Sequence, residues 1–179
     1  MKNKIIIYTD GAAKGNPGKA GWGAVFLFYP YPASPLSRGR SEEGVLEIGG
    51  HVAHATNNQM ELTASIEALK YIKKNNLSQP SPVQERAKGE VEIISDSKYV
   101  ILGITEWIFG WQKNNWRNAA KKPVLNKELW EELYTLTQEL KPKWTYVKGH
   151  NENKMNNRAD LIATSFAEGE PVKLKRNAG

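Results

Sequence analysis

The sequence predicts one α/β domain with a five-stranded mixed sheet flanked by helices. Strand-like and helix-like patterns follow one another in the order βββ–α–β–α–α–β–α, which is typical of that class. A chain of 179 residues is most simply one domain, because about 150 residues per domain is usual. We place the domain at residues 1–168 and expect the basic tail, residues 169–179, to be flexible.

Five short apolar runs, rich in β-branched and aromatic residues, predict the strands. They cover residues 5–9, 22–28, 45–52, 91–95 and 143–147. The first three follow one another closely and predict an antiparallel meander. A helix precedes the fourth strand, so the first and fourth strands can be parallel neighbours through a right-handed crossover.

Helical periodicity and capping residues predict helices over about residues 57–75, 98–112, 126–140 and 155–167. In the first helix, Leu62, Ile66 and Leu69 recur with the helical period and mark its buried face. Two segments, at about residues 29–44 and 77–90, contain several prolines and polar residues. We expect both to be insert-like surface loops.

The composition excludes several kinds of site and location. The sequence has no cysteine, which excludes disulfides, thiolate metal sites and a cysteine nucleophile. The apolar run at residues 5–8 is shorter than the ~7–15 residues of a signal-peptide core. The run at residues 24–29 is far shorter than the ~20 residues that span a bilayer. We therefore expect a soluble, cytoplasmic protein with no membrane partner.

The distribution of charge favours a polyanionic partner. The net charge is +6 and the isoelectric point is near 9.4. A basic segment without acidic residues contains Lys113, Arg117, Lys121, Lys122 and Lys127, and in or beside it lie Trp107, Trp111, Trp116 and Trp130. Such a run can simply be a solvated face. Interleaved rings and cations favour nucleic acid, because phosphates attract cations while sugars and bases pack on rings.

The glycine-rich segment at residues 11–18, GAAKGNPG, lacks the features of a phosphate-binding loop. It has no G-K-[ST] ending, and its glycines do not fit the spacing G-x-G-x-x-G. It also leads into a strand, so no helix N-terminus would receive the phosphate. A tight hairpin at Pro17 and Gly18 is the better prediction.

Four carboxylates are candidates for a common site. Asp10 and Asp96 each follow a predicted buried strand, whereas Glu61 and Asp160 lie in predicted helices. Each one alone can be a cap, a turn residue or a solvated side chain. If they converge, their repulsion raises pKa values unless cations neutralise them, and Mg²⁺ binds such oxygen ligands. Two ions about 4 Å apart would suit phosphodiester displacement, although the sequence spacing does not show convergence.

Five motifs in order closely resemble ribonuclease H type 1, the bacterial ribonuclease HI family. They are T9-D10-G11 with G15-N16-P17-G18, T56-N57-N58-Q59-M60-E61-L62, S95-D96-S97-K98-Y99-V100, W144-T145-Y146-V147-K148-G149-H150 and N156-N157-R158-A159-D160. The resemblance covers about residues 4–166. It implies a ribonuclease H-like fold and an endonuclease that hydrolyses the RNA strand of RNA–DNA hybrids, leaving 5′-phosphate and 3′-hydroxyl ends.

The resemblance also implies roles for individual residues. Asp10, Glu61, Asp96 and Asp160 would hold two Mg²⁺ ions, for which Mn²⁺ can substitute. His150 would help proton transfer or product release, for which its ordinary pKa of about 6.5 is suited. The substrate-binding set would be Asn16, Asn57 and Asn58 in the minor groove, Thr56 and Asn126 at a DNA phosphate, and Trp107, Trp111, Lys113, Trp116, Arg117, Lys121 and Lys122 in a basic protrusion on the DNA strand.

Two features depart from the family pattern. The segment after His150 lacks the glycine often found there, which bears on its mobility, and Asn157 replaces a common glutamate. Two alternatives remain: a non-catalytic hybrid-binding module, and another phosphodiesterase of this fold such as an integrase, resolvase or exonuclease. The four acids disfavour the first, and the basic protrusion with the T-N-N-Q-M-E-L motif disfavours the second. We expect a monomer.

Overall fold

The computed structural model describes residues 4–29, 44–75, 90–149 and 153–175. The two predicted insert-like loops lie almost wholly outside these residues, as does His150. Within the described ranges, no helix is both long and apolar enough to cross a membrane.

Five strands and five α-helices, with one π-helical turn, make up the described fold. In chain order they are β1 (Lys4–Lys14), β2 (Gly18–Tyr29), β3 (Gly44–Ala55), α1 (Asn57–Lys74), β4 (Glu90–Ser95), α2 (Lys98–Leu102), the π-helical turn (Gly103–Trp107), α3 (Ile108–Lys113), α4 (Lys127–Leu140), β5 (Lys143–Tyr146) and α5 (Lys154–Glu168).

The strands form one mixed sheet in the order β3-β2-β1-β4-β5. Strands β1, β2 and β3 pair antiparallel, while β1 with β4 and β4 with β5 pair parallel. The predicted five-stranded mixed sheet, the meander and the parallel pairing of the first and fourth strands are confirmed.

The first strand is longer than its sequence pattern predicts. Pairing with β2 continues from Lys4–Tyr29 to Lys14–Lys19, whereas pairing with β4 stops at Tyr8–Ile94. Asp10 therefore lies inside a strand and not after its end, which corrects the prediction. Beyond Asp10, the small residues of the hairpin continue β1 by pairing with β2 alone.

Helices cover both faces of the sheet. On one face, α1 and α4 bury Leu62, Ile66 and Leu133 against strand residues such as Ile7. On the other face, α5 packs Ala159 and Ile162 against Val25 of β2. Each fully buried Leu or Ile side chain contributes about 2 kcal/mol of stability. The result is a three-layer fold, with the sheet between two layers of helices.

The predicted helix over residues 98–112 is interrupted by the π-helical turn. A side-chain carbon at Gly103 would lie 2.0 Å from the buried ring of Trp130. The turn thus brings backbone against that ring, where a side chain would not fit. The break is a tertiary effect that helical periodicity could not show.

The first part of the predicted tail, as far as Lys175, makes defined contacts with the domain. The Lys175 backbone N–H donates to the Glu47 carboxylate at 2.7 Å, and its carbonyl accepts from the Glu47 N–H at 2.8 Å. Val172 and Leu174 also pack on the apolar cluster between α5 and β2. The basic composition suggested solvation, but these contacts hold the segment against β3.

Candidate active site

The structure brings the four predicted carboxylates together at one edge of the sheet. Asp10 lies where β1 loses its parallel partner, Asp96 directly follows β4, Glu61 is in α1 and Asp160 is in α5. Burial raises the pKa of Asp10 to about 8, and repulsion from the carboxylates of Asp96, Asp160 and Glu61 contributes to this rise. The Gly11 N–H donates to Asp10 Oδ1 at 2.7 Å, and this hydrogen bond partly opposes the rise in pKa.

Two glycines let helices from opposite faces approach Asp10. A side-chain carbon at Gly11 would lie 2.3 Å from the backbone nitrogen of Glu61, so α1 lies directly on β1 there. Gly23 pairs with Asp10 across the hairpin, and a side-chain carbon there would lie 2.7 Å from the carbonyl oxygen of Ala159 in α5. Both close approaches require glycine, because no larger residue leaves room for a helix backbone.

Asp96 is held by a residue that the sequence did not single out. Asn156 is buried in the first turn of α5, and its Nδ2 donates to Asp96 Oδ2 at 3.0 Å. Its Oδ1 is also buried and accepts no hydrogen bond from any described residue. A side-chain carbon at Gly149 would come within 2.8 Å of the same Asp96 oxygen. The spacing of four between Asn156 and Asp160 was the available signal, because it places both on one helix face.

Glu61 is held by Ser97, the second residue that sequence reasoning missed. The Ser97 hydroxyl donates to Glu61 Oε2, and its oxygen accepts from the Val100 N–H to cap α2. Burial raises the pKa of Glu61, repulsion from Asp96 adds to the rise, and the Ser97 hydrogen bond opposes it. A serine directly after the aspartate was visible in the sequence, but a capping role explains it equally well.

The donor set has the chemistry of a hard-cation site. Within the described ranges, no three His, Asp or Glu side chains are already arranged to hold a metal ion. The four acids nevertheless supply only oxygen ligands, which Mg²⁺ prefers. Burial, with repulsion from the neighbouring carboxylates, raises the pKa of Asp10, and a bound divalent cation would offset both effects. The residues present therefore fit such an ion.

The asparagines predicted to contact substrate tie the hairpin to α1. The Asn57 side-chain oxygen accepts from the Ala13 N–H at 2.6 Å, and the Asn57 N–H donates to Asn16 Oδ1 at 3.0 Å. Thr56 caps α1 with its hydroxyl oxygen. Asn16, Asn57 and Asn58 are exposed, so this corner is open to a ligand beside the carboxylates.

The predicted basic protrusion stands on a cluster of aromatic rings. Trp111 packs on Trp130, Trp107 and Trp116, at centroid distances of 5.2, 5.9 and 6.5 Å. Trp111 and Trp116 are half-buried and support the segment, whereas Trp107 is 38% exposed. The cations are exposed: Lys113, Arg117, Lys121 and Lys122.

Asn126 connects the protrusion to the core. It has a left-handed backbone, φ 60°, which asparagine tolerates better than most residues. Its Nδ2 donates to the Tyr99 hydroxyl at 3.2 Å, and the indole of Trp130 donates to the same oxygen at 3.1 Å. The side chain predicted to meet a DNA phosphate is thus fixed in place.

Comparison with known proteins identifies the family. A family model described as RNase H matches residues 2–168. Ribonuclease H of Thermosynechococcus vestitus is 43% identical over 176 residues, which are 98% of this chain and 96% of that protein. The chain belongs to the ribonuclease H family. The expected fold family and the assignment as a ribonuclease H enzyme are therefore confirmed.

Solved structures support the ribonuclease H fold. LC9-RNase H1, a type 1 RNase H with the type 2 active-site motif, superposes with a TM-score of 0.71 at 23% identity, covering 98% of this chain and 76% of that one. LC11-RNase H1 in complex with RNA/DNA hybrid has a TM-score of 0.58 at 26% identity, covering 92% and 97%. Membership of the family implies dependence on a divalent metal ion in general.

Proposed function

We propose that this ribonuclease H is an endonuclease that hydrolyses the RNA strand of RNA–DNA hybrids, leaving 5′-phosphate and 3′-hydroxyl ends. One observation carries the proposal: Asp10 is buried among three further carboxylates, beside an open asparagine-lined corner. The hybrid bound to LC11-RNase H1 supports the same substrate for this chain.

Asp10, Glu61, Asp96 and Asp160 would hold two Mg²⁺ ions, which Mn²⁺ can replace. When bound, the ions would supply Lewis-acid activation of water and charge compensation for the leaving 3′ oxygen. The protein's part is to orient the acids: Asn156 fixes Asp96 by its hydrogen bond, and burial keeps Asp10 dependent on a cation.

The substrate contacts would divide between the two strands. Asn16, Asn57 and Asn58 would face the minor groove, where the 2′-hydroxyls distinguish RNA from DNA. Asn126 with Thr56, and the exposed cations of the protrusion, would bind phosphates of the DNA strand, so affinity should fall with salt. Proton transfer at His150 remains a prediction, as do a cytoplasmic location and a monomeric state.

A cleavage assay tests this function. End-labelled RNA–DNA hybrid is incubated with Mg²⁺ beside single-stranded RNA, double-stranded RNA and double-stranded DNA, then again with a chelator. Only the hybrid should be cut, only with metal, and Asp10→Asn should be inactive. An uncut hybrid, or a fully active Asp10→Asn protein, would refute the nuclease; tight hybrid binding without cleavage would instead indicate a binding module.

A further inference from the structure

The side chain of Asp160 depends on its helix for its position. The other three carboxylates each accept a hydrogen bond of 3.0 Å or less. The hydrogen bond described for Asp160, from Thr164 Oγ1 to Oδ1, is 3.5 Å long. A contact of that length is weak. Any displacement of α5 therefore moves Asp160 relative to the other acids.

Much of the sheet surface beneath α5 is backbone of glycine residues, which lack side chains to interlock with the helix. A side-chain carbon would lie 2.4 Å from the carbonyl oxygen of Ala163 at Gly21, and 2.7 Å from that of Ala159 at Gly23. Gly49 of β3 likewise faces the helix. Helices are normally held in register by side chains that interlock. The three glycines provide no side chains to interlock with the helix, so directional bonds add to the packing of Ala159 and Ile162 in fixing α5 along its axis.

The directional bonds come from one buried carboxylate. Glu47 of β3 is 1% exposed at its side chain, and Arg158 of α5 binds it through two hydrogen bonds of 2.8 Å, from Nε and Nη2. The same Nη2 donates to the Lys173 carbonyl at 2.8 Å, and the Lys175 N–H donates to the carboxylate at 2.7 Å. Bidentate hydrogen bonds between an arginine and a carboxylate are short and strong, and they favour one relative geometry of the two groups.

The segment after α5 closes the arrangement. The Val172 N–H donates to Ser165 Oγ at 3.2 Å, and Leu174 packs on the cluster that includes Val25 of β2. Residues 170–175 therefore contact α5 at one end and β3 at the other. Arg158 lies two residues before Asp160 on the helix that they hold.

We propose that Glu47, Arg158 and residues 170–175 form a clamp that positions Asp160 for the reaction. They are positioning residues, which act on the site through α5. The proposal rests on the proposed function, because it assigns Asp160 to the metal site. It goes beyond that function by making the segment after α5 part of the catalytic apparatus.

The test compares clamp variants with a matched buried carboxylate. Arg158→Lys keeps the positive charge but loses the bidentate geometry, whereas Arg158→Ala removes the charge and the geometry. Glu47→Gln keeps the side-chain volume but removes the negative charge. Glu92→Gln is the control, since Glu92 of β4 is 7% exposed and its ion-pair partners Lys4 and Lys143 lie on β1 and β5. The kcat and KM for hybrid are measured with Mg²⁺, and Mg²⁺ binding to substrate-free protein is measured by calorimetry, both at a temperature where every variant is folded.

The clamp predicts a specific pattern. Arg158→Ala and Glu47→Gln should lower kcat about tenfold and weaken Mg²⁺ binding similarly, because small misplacements of catalytic groups cost rate steeply. KM for hybrid should change less than about twofold, since the proposed substrate contacts lie elsewhere. Arg158→Lys should restore part of both losses, and Glu92→Gln should lower only the melting temperature.

Two results would overturn the clamp. Clamp variants that lose melting temperature but keep wild-type kcat and Mg²⁺ affinity would show a purely structural role, and so would equal losses in Glu92→Gln. If Arg158→Ala does not fold, Arg158→Lys and Glu47→Gln carry the test. A wild-type protein that fails to cut hybrid refutes the proposed function, whereas the Mg²⁺ titration still decides on the clamp.

Discussion

Replacing Gly23 by alanine should separate α5 from the catalytic edge of the sheet. The new side-chain carbon would lie 2.7 Å from the Ala159 carbonyl oxygen and 2.8 Å from Cβ of Ile162. Ordinary contacts begin at about 3.4 Å, so the helix must move outward by roughly 0.7 Å. The obstacle is helix backbone, which no rotation of a side chain can clear.

Gly23→Ala should mainly lower kcat. Asp160 directly follows Ala159 and would move with it, away from Asp10, the cross-strand partner of Gly23. A misplacement of about 1 Å can cost about 100-fold in rate, so we expect kcat to fall ~10- to 100-fold. Overpacking should also destabilise the protein by about 1–3 kcal/mol.

Gly49→Ala is the matched control, because Gly49 pairs with Gly23 across β2 and β3 and faces the same helix. Its added carbon would meet Cγ2 of Ile162 and the Phe166 ring, which are side-chain atoms that can shift. Steady-state kcat and KM on hybrid, with melting temperatures by circular dichroism, give the comparison. A Gly23→Ala protein that keeps wild-type kcat, or an equal loss of kcat in both variants, would refute the expected displacement of Asp160.

Three further predictions concern other parts of the molecule. Burial alone would raise the pKa of Glu92, but hydrogen bonds from Lys4, Thr145 and Lys143 outweigh it and hold the pKa at about 2, below its usual value. The stabilisation is therefore present above about pH 4.5 and is lost as pH falls towards 2. Glu92→Gln should therefore cost about 2 kcal/mol at pH 7 and show a flatter stability profile in acid, measured by urea unfolding between pH 2 and 7. Ser97→Ala should raise the pKa of Glu61 and lower kcat about tenfold, and an unchanged Mg²⁺ titration would contradict this. Lys121→Ala with Lys122→Ala should raise KM and reduce the salt slope of hybrid binding by up to about two, whereas an unchanged slope would place these cations off the DNA strand.

Local sequence patterns were sufficient for the architecture. Short β-rich runs and helical periodicity are set by neighbouring residues, so the meander, the parallel pairing of the first and fourth strands and most helix positions could be predicted. The residues around each acid also identified which four carboxylates belong to one site. Their convergence depends on close approaches at Gly11 and Gly23, and nothing local to those glycines shows which helix will arrive there.

The features that escaped prediction arise from distant contacts. Asn156 and Ser97 are short polar residues whose partners lie 60 and 36 positions away in the chain. Gly103, where the π-helical turn begins, packs directly on the distant Trp130 ring. The segment after α5 is basic, and its contacts depend on the distant carboxylate of Glu47 and on the packing of Val172 and Leu174.

The partners of Glu47 also set an order of events during protein synthesis. Arg158 and Lys175 follow it by 111 and 128 residues, so β3 leaves the ribosome long before either is made. Burying a carboxylate without its partner costs several kcal/mol. We therefore expect that β3 does not bury the Glu47 side chain in its final form while the nascent chain lacks these residues. Because α5 also carries Asp160, we expect the carboxylate site to reach its final form only after α5 and residues 170–175 have been synthesised.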